Sequence, residues 1–288
     1  MPLNANPIED WARTRELQRE TATTLAAAAA TLAATRSRNS GHLSARLNAI
    51  AARLRAPLRV VVAGEFNTGK TTLCNRLIGV DALPTSALPM TNLWTRIYAA
   101  PSIEAFVRTT SGKREPIGAV TAAVADWSSL DIGAPSDRLA GIELIDLPGL
   151  ADPRFDRTIA LVRNAHPNVL LWCTSSTQAC KESERSEWSQ LAPALLARSF
   201  LVLTFSDLVK SPSDRTKLMR RAEDMAAGVF AGVVKVSSKT APASDSDDTT
   251  PSDIAHAWGE VCRQLSRLGK RRCQLAVSLA HRILSRRA

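Results

Sequence analysis

Paired cysteines are the first thing missing. Five cysteines (Cys74, Cys173, Cys180, Cys262 and Cys273) form no C-x-x-C pair, and the four histidines fall at no metal-ligand spacing. That argues against a disulfide framework or a zinc module and for buried, reduced thiols in the cytoplasm. No stretch approaches the roughly 18 apolar residues of a membrane span. The alanine-rich run at 25–34 is preceded by Glu9, Asp10, Glu16 and Glu20 and broken by Thr31. A secretory leader needs a basic start and an uninterrupted apolar core, so this run is not one. The expectation is a cytoplasmic chain, free or peripheral at a membrane. Acidic residues are also missing after Glu260, where Arg263, Arg267, Lys270, Arg271, Arg272, Arg282, Arg286 and Arg287 gather.

What is present suits one large α/β domain with an accessory element. The chain has 288 residues, a net charge of +10 and an ordinary apolar content of 45%. A core of good size is therefore available, and the charge favours an acidic partner such as nucleotide, nucleic acid or anionic lipid. Nucleic acid is the weakest of these, because the basic stretch lacks interleaved aromatics and no recognised nucleic-acid module appears.

Eight residues organise the rest. Gly64, Glu65, Phe66, Asn67, Thr68, Gly69, Lys70 and Thr71 match G-x-x-x-x-G-K-[ST]. Backbone N–H groups of such a loop curl round a phosphate, the lysine reaches the β- and γ-oxygens, and the hydroxyl holds Mg²⁺. The apolar run 58–63 reads as a buried strand entering the loop, and 71–78 as a helix leaving it with its positive dipole end toward the phosphate.

Around this unit the pattern alternates. Residues 8–55 read as helix in two pieces, with Trp11, Leu17, Leu25 and Leu32 on one face and Leu43, Leu47, Ile50 and Leu54 on the other piece. Residues 94–100 and 103–109 read as a hairpin pair, 117–130 as a short amphipathic helix, and 142–146, 169–173, 200–204 and 233–236 as strands. This predicts a mainly parallel sheet with helices on both faces. Residues 241–253 read as an acidic, proline-bearing linker. Residues 254–285 read as a helix with Val261, Leu265, Leu268, Leu275, Leu279 and Ile283 as its apolar stripe. The domain expectation is a helical arm at 1–56, a nucleotide domain at 57–240, the linker, and a basic helix at 254–288 that packs with the arm. The same basic helix is a second candidate surface, for peripheral contact with anionic membrane.

Three further strand-end loops extend the phosphate motif. Asp146 opens D-L-P-G, where an aspartate can hold the metal and Gly149 can meet the γ-phosphate. Thr204 and Asp207 frame T-x-x-D, whose carboxylate can accept from the N1 and N2 groups of guanine. Ser237, Ser238 and Lys239 follow the last strand and can offer N–H groups to a guanine carbonyl. In open parallel sheets ligands bind where strand C-termini converge.

With residues 64–79 (GEFNTGKTTLCNRLIG), the L-P-T at 83–85, the P-M-T at 89–91, Asp146 to Gly149, and Thr204 with Asp207, the chain resembles the dynamin superfamily. The likeness is to the G domain of bacterial dynamin-like proteins, over about residues 58–240. It implies a P-loop GTPase fold and a neck bundle from the flanking helices; against the family's pattern, the expectation for this chain is a short neck without the stalk. It implies Mg²⁺ held by Thr71, Thr91 and Asp146, with Lys70, Thr91 and Gly149 serving hydrolysis. It implies a nucleotide site of residues 64–71 with Thr72, Thr204, Asp207, Ser237, Ser238 and Lys239. Phe205 stands where the family usually has lysine, and its ring can stack on the base. The partners implied are GTP and GDP and a second G domain or related dynamin-like chain. Two other readings stay open: a nucleotide-gated binding module of negligible turnover acting on a partner protein or membrane surface, and an ATP-using P-loop protein.

Overall fold

The computed structural model of the chain describes residues 6–35, 39–83, 94–117, 126–149, 158–179, 181–237 and 253–285. In chain order the elements are α1 (Pro7–Ala34), α2 (Ser40–Arg55), β1 (Leu58–Gly64), α3 (Lys70–Ile78), β2 (Trp94–Ala99), β3 (Glu104–Thr109), β4 (Arg114–Pro116) and β5 (Trp127–Ala134). There follow β6 (Ile142–Asp146), α4 (Thr158–Asn164), β7 (Val169–Ser175), α5 (Glu182–Trp188), α6 (Pro193–Leu196), β8 (Phe200–Thr204), α7 (Pro212–Ala226), β9 (Gly232–Lys235) and α8 (Asp253–Ser285). They form two compact units, residues 1–58 with 259–288, and residues 59–258.

The first unit is helical. Asn6 caps α1 by accepting the Ile8 N–H at 3.1 Å, with Pro7 in the first turn where its missing N–H costs nothing. Positions Trp11, Thr14, Gln18, Ala22, Leu25, Ala29 and Leu32 are buried, spaced by three and four as one helical stripe requires. Ala22, Leu25, Ala29 and Leu32 share one core with Leu47, Ala51 and Leu54 of α2 and with Cys273, Ala276, Ala280 and Ile283 of α8. Asp10 accepts from Lys270 at 2.8 Å across α1 and α8. The N- and C-terminal helices thus form the expected bundle, but its seam differs from the leucine pattern. Leu17, Leu275 and Leu279 are 43%, 52% and 38% exposed. Alanines 276 and 280 take the buried positions instead, because small side chains let alanine-rich α1 approach closely.

The second unit is a nine-stranded sheet among the described residues, in the order β4-β3-β5-β2-β6-β1-β7-β8-β9. The β1–β7, β7–β8 and β8–β9 pairs are parallel. Their residues are apolar on nearly every position, as strands covered on both faces must be. Val61, Ala63, Ile145, Trp172, Leu201 and Leu203 pack against α4 to α7, where Trp172, Trp188 and Phe230 meet edge to face at 5.9 and 5.3 Å. This is the P-loop NTPase fold of the α/β class.

The other half of the sheet corrects two expectations. Residues 94–99 and 104–109 are strands, yet they do not form a hairpin. β5 lies between them, parallel to β2 and antiparallel to β3. The connection at 100–103 arches over the end of β5, and Gly133 permits this. A Cβ there would fall 2.6 Å from the Ala100 Cβ and 2.5 Å from the Glu104 Cγ. The second correction is β5 itself, which occupies 127–130 where a helix is expected. Leu130 and Ile132 alternate with polar residues at strand period, and the neighbouring strands supply partners that a local pattern does not show.

Two buried carboxylates of this half are paired with arginines. Asp131 is 3% exposed at its side chain and accepts from Arg96 and Arg108 at 2.9 Å and from Arg114 at 3.3 Å. Glu143 accepts from Arg96 at 3.1 Å and Arg59 at 3.0 Å.

Candidate nucleotide site

The site begins where β1 runs out into the phosphate loop. Gly64 has φ +146°, and a Cβ there would fall 2.2 Å from the Cys173 carbonyl oxygen on β7. Only glycine fits. Asn67 and Gly69 take left-handed φ of 59° and 74°, which asparagine and glycine tolerate best. The loop closes on itself through the Glu65 carbonyl, which accepts from the Thr68 hydroxyl at 2.8 Å and from Lys70 Nζ at 2.7 Å. Lys70 is buried, and burial lowers its pKa against the opposing charge of Asp146.

Thr71 Oγ1 donates to Asp146 Oδ2 at 2.8 Å, bringing two of the three expected metal residues together. Asp146 Oδ1 is buried and has no hydrogen-bond partner among the described residues. Burial raises the Asp146 carboxyl to about 6, although the Lys70 charge and the Thr71 hydroxyl both pull it down. A buried carboxylate oxygen without a donor is costly unless something else satisfies it. One hydroxyl and one carboxylate are the hard oxygen donors that a divalent ion uses when substrate phosphates and water complete its shell. The residues present therefore fit Mg²⁺.

Gly149 lies against the loop: a Cβ on it would stand 2.6 Å from the Phe66 Cα. On the other side, Gly69, Thr72, Leu73, Arg76, Thr204, Phe205, Val236 and Ser237 line a narrow cleft. The Phe205 ring packs over Gly69, and Arg76 donates to the Ser237 carbonyl. Thr204 faces inward, donating to the Thr174 carbonyl at 3.1 Å. Asp207 lies in the 3-10 turn Ser206–Leu208 and lines a different, larger cavity of about 900 Å³ with Ser176, Arg215 and Lys235. That cavity is thus separate from the narrow cleft beside Gly69. Thr91, Ser238 and Lys239 lie outside the described residues.

The dynamin family model matches residues 60–128. Over that stretch the nucleotide-facing unit resembles the dynamin superfamily. This dynamin-like G domain is 32% identical over 138 residues to the isoniazid-induced protein IniC of Mycobacterium tuberculosis, covering 43% of this chain and 28% of that protein. It is 26% identical over 192 residues to dynamin-like protein 2 of Campylobacter jejuni, covering 64% and 31%. The chain spans about three-tenths of the length of these relatives. Among solved structures, an oligomerised bacterial dynamin pair described as sensing and tethering membranes superposes at TM-score 0.60 and 20% identity, over 81% of this chain and 39% of that one. The bacterial dynamin GTPase LeoA superposes at 0.54 and 14% identity, over 96% and 49%. At these identities the structures show the fold.

Two contacts of the dynamin-like loop had no signal in the sequence. Lys181 Nζ donates to Glu65 Oε2 at 2.7 Å and Ser183 Oγ to Glu65 Oε1 at 2.8 Å. Both come from more than a hundred residues downstream, where nothing local marks them.

Proposed function

We propose that the chain binds GTP with Mg²⁺ and hydrolyses it by in-line attack of water on the γ-phosphate. The observation that carries this reading is the buried, unpartnered Asp146 Oδ1 beside the Thr71 hydroxyl and the Lys70 ammonium. That arrangement has one excess acceptor and one excess cation, as a site for a metal-bound phosphate requires. Lys70 and the loop N–H groups stabilise charge on the β- and γ-oxygens. Thr71 and Asp146 hold the metal, with Thr91 completing it. Held by Thr71 and Asp146, a bound Mg²⁺ would supply positive charge to offset the negative charge that develops on the phosphates. Thr91 and Gly149 sense the γ-phosphate, Asp207 reads guanine, and the Phe205 ring faces the base from over Gly69.

Nucleotide state then passes to the helical unit, since α2 leads directly into β1 and α8 continues from the nucleotide domain's last segment. A second dynamin-like G domain and an anionic membrane surface are the proposed partners. No helix among the described residues is long and apolar enough to cross a membrane. One observation favours a second reading, a nucleotide-gated binding module of negligible turnover. Phe66 is 55% exposed at a loop position where it has no polar atom to orient water. Parallel measurements of affinity and turnover for GTP and ATP decide among these. Turnover specific to GTP supports the proposal, tight binding without turnover supports the second reading, and preference for ATP rejects guanine recognition by Asp207.

A further inference from the structure

The second residue of the phosphate loop carries a negative charge, next to a subsite meant for an anion. That is an electrostatic conflict, and the structure contains its answer. The Glu65 carboxylate is 16% exposed and accepts from Lys181 Nζ at 2.7 Å and Ser183 Oγ at 2.8 Å. The main-chain carbonyl of the same residue accepts from Lys70 Nζ at 2.7 Å. One residue therefore ties the phosphate lysine on its backbone side to the start of α5 on its side-chain side.

The far end of this link is anchored too. Lys181 caps α5, and its N–H donates to Glu184 Oε2 at 3.2 Å. Glu184 is buried and accepts the Thr174 hydroxyl of β7 at 2.8 Å. Burial alone would raise the Glu65 carboxyl, but Lys181, Ser183 and the charge of Lys70 outweigh it and hold it below the usual range. The carboxylate thus stays charged at neutral pH and needs a counter-charge. An ordinary surface ion pair contributes little and touches nothing else. This one sits on a loop residue whose carbonyl is already committed to the phosphate lysine.

We propose that Lys181 is the charge-compensating positioning residue of the phosphate loop: its ammonium cancels the Glu65 carboxylate and so sets the affinity of the site for phosphate anions. The inference rests on the nucleotide-binding reading above. It differs from a role as a direct phosphate ligand, because compensation becomes unnecessary once Glu65 is neutral.

The test uses the full chain and four proteins: wild type, Lys181→Ala, Glu65→Gln and the double variant. Calorimetry with GTP·Mg²⁺, and separately with inorganic pyrophosphate and Mg²⁺, reads each affinity at low and high salt. Lys181→Ala should weaken both ligands about fivefold, and Glu65→Gln should tighten them about twofold, as charges of opposite sign near one anion must. The double variant should return to within about twofold of wild type, and the spread should narrow at high salt. Lys181→Arg, which keeps the charge, should retain affinity and covers the case in which alanine harms folding. An unchanged Lys181→Ala overturns the inference while leaving the nucleotide reading intact. So does a double variant as weak as Lys181→Ala, which would make Lys181 a direct ligand or a strut. Wild-type protein that binds neither GTP nor pyrophosphate removes the nucleotide reading, and this inference with it.

Discussion

Two aspartates in one sheet, both nearly inaccessible, have opposite fates. Asp131, on β5, receives three guanidinium groups and is held below the ordinary carboxylate range; burial would raise it, but Arg96 and Arg108 outweigh burial. Asp146, at the end of β6, has one hydroxyl on Oδ2 and, among the described residues, nothing on Oδ1, and burial pushes it up to about 6. The difference teaches how to tell structural from functional polarity inside a fold. A charge whose partners are complete stabilises the chain that carries it. One left incomplete costs stability and marks a candidate ligand site.

The sharpest way to break this contrast is to remove one member of each class. Lys70→Ala deletes the cation held inside the loop, and should cost ~2–4 kcal/mol of nucleotide or transition-state stabilisation while thermal unfolding changes little. Calorimetry with GTP·Mg²⁺, a turnover assay and a melting curve check it together; unchanged binding and turnover would sink the phosphate-loop assignment. Asp131→Ala should do the reverse. Three arginines would lose their shared carboxylate, at a cost of about 2–3 kcal/mol in folding stability. This is less than for a fully buried pair, because the guanidiniums are 31–40% exposed. Denaturant unfolding measures it, and nucleotide affinity per folded molecule should stay at the wild-type level. A loss of affinity larger than the loss of stability would mean that the arginine cluster serves the site.

The same contrast explains what could be read in the sequence. The parallel half was legible: the strand into Gly64, the helix at the end of the loop and the strands at 169–173, 200–204 and 233–236 are local patterns, set by spacing and by runs buried on both faces. The extension was not. Residues 127–130 read as helix because no local signal announces the strands on either side of β5, and the expected hairpin failed because Gly133 lets the connection cross over that strand. In the helical unit the leucine stripe of α8 misled at Leu275 and Leu279, since Ala276 and Ala280 fit the close seam better. At the site, residues 64–71 and Asp146 converge as their spacing implied. Lys181 was invisible because its partner Glu65 lies on another element.

Asp207 tests which class a third aspartate belongs to. If it reads guanine, its carboxylate accepts two donors that an amide cannot both satisfy, so Asp207→Asn should weaken GTP by roughly 1.5–3 kcal/mol. Xanthosine triphosphate, which offers an acceptor where guanine offers a donor, should gain relative to GTP, and ATP should be unaffected. Competition binding with the three nucleotides reads this directly. Equal losses for all three would assign Asp207 to the structure of the Ser206–Leu208 turn and the cavity beside it.

The smallest expected effect separates Asp146 from Asp131 by pH alone. Asp146 has its carboxyl raised to about 6 by burial. A raised carboxyl means that the folded protein holds a proton which the unfolded chain has already released. The stability this proton gives is fully present below the ordinary carboxyl value of 3.8 and is lost as pH rises through about 6. Metal binding has the opposite sign, because only the ionised carboxylate can hold Mg²⁺. Mg²⁺-dependent GTP affinity should be level above pH 7 and should fall below about 6, by ~1.4 kcal/mol for each further pH unit. Asp131 has its carboxyl lowered, so its contribution to stability is present above the unfolded value and is lost only on acidification below it; from pH 5 to 8 it is silent. Calorimetry with GTP and Mg²⁺ across that range, alongside melting curves of the nucleotide-free protein, should show affinity and apo stability moving in opposite directions through the same midpoint. Asp146→Asn should flatten both profiles, which assigns them to this carboxyl. An affinity independent of pH between 5 and 7.5 would mean that Asp146 does not hold the metal.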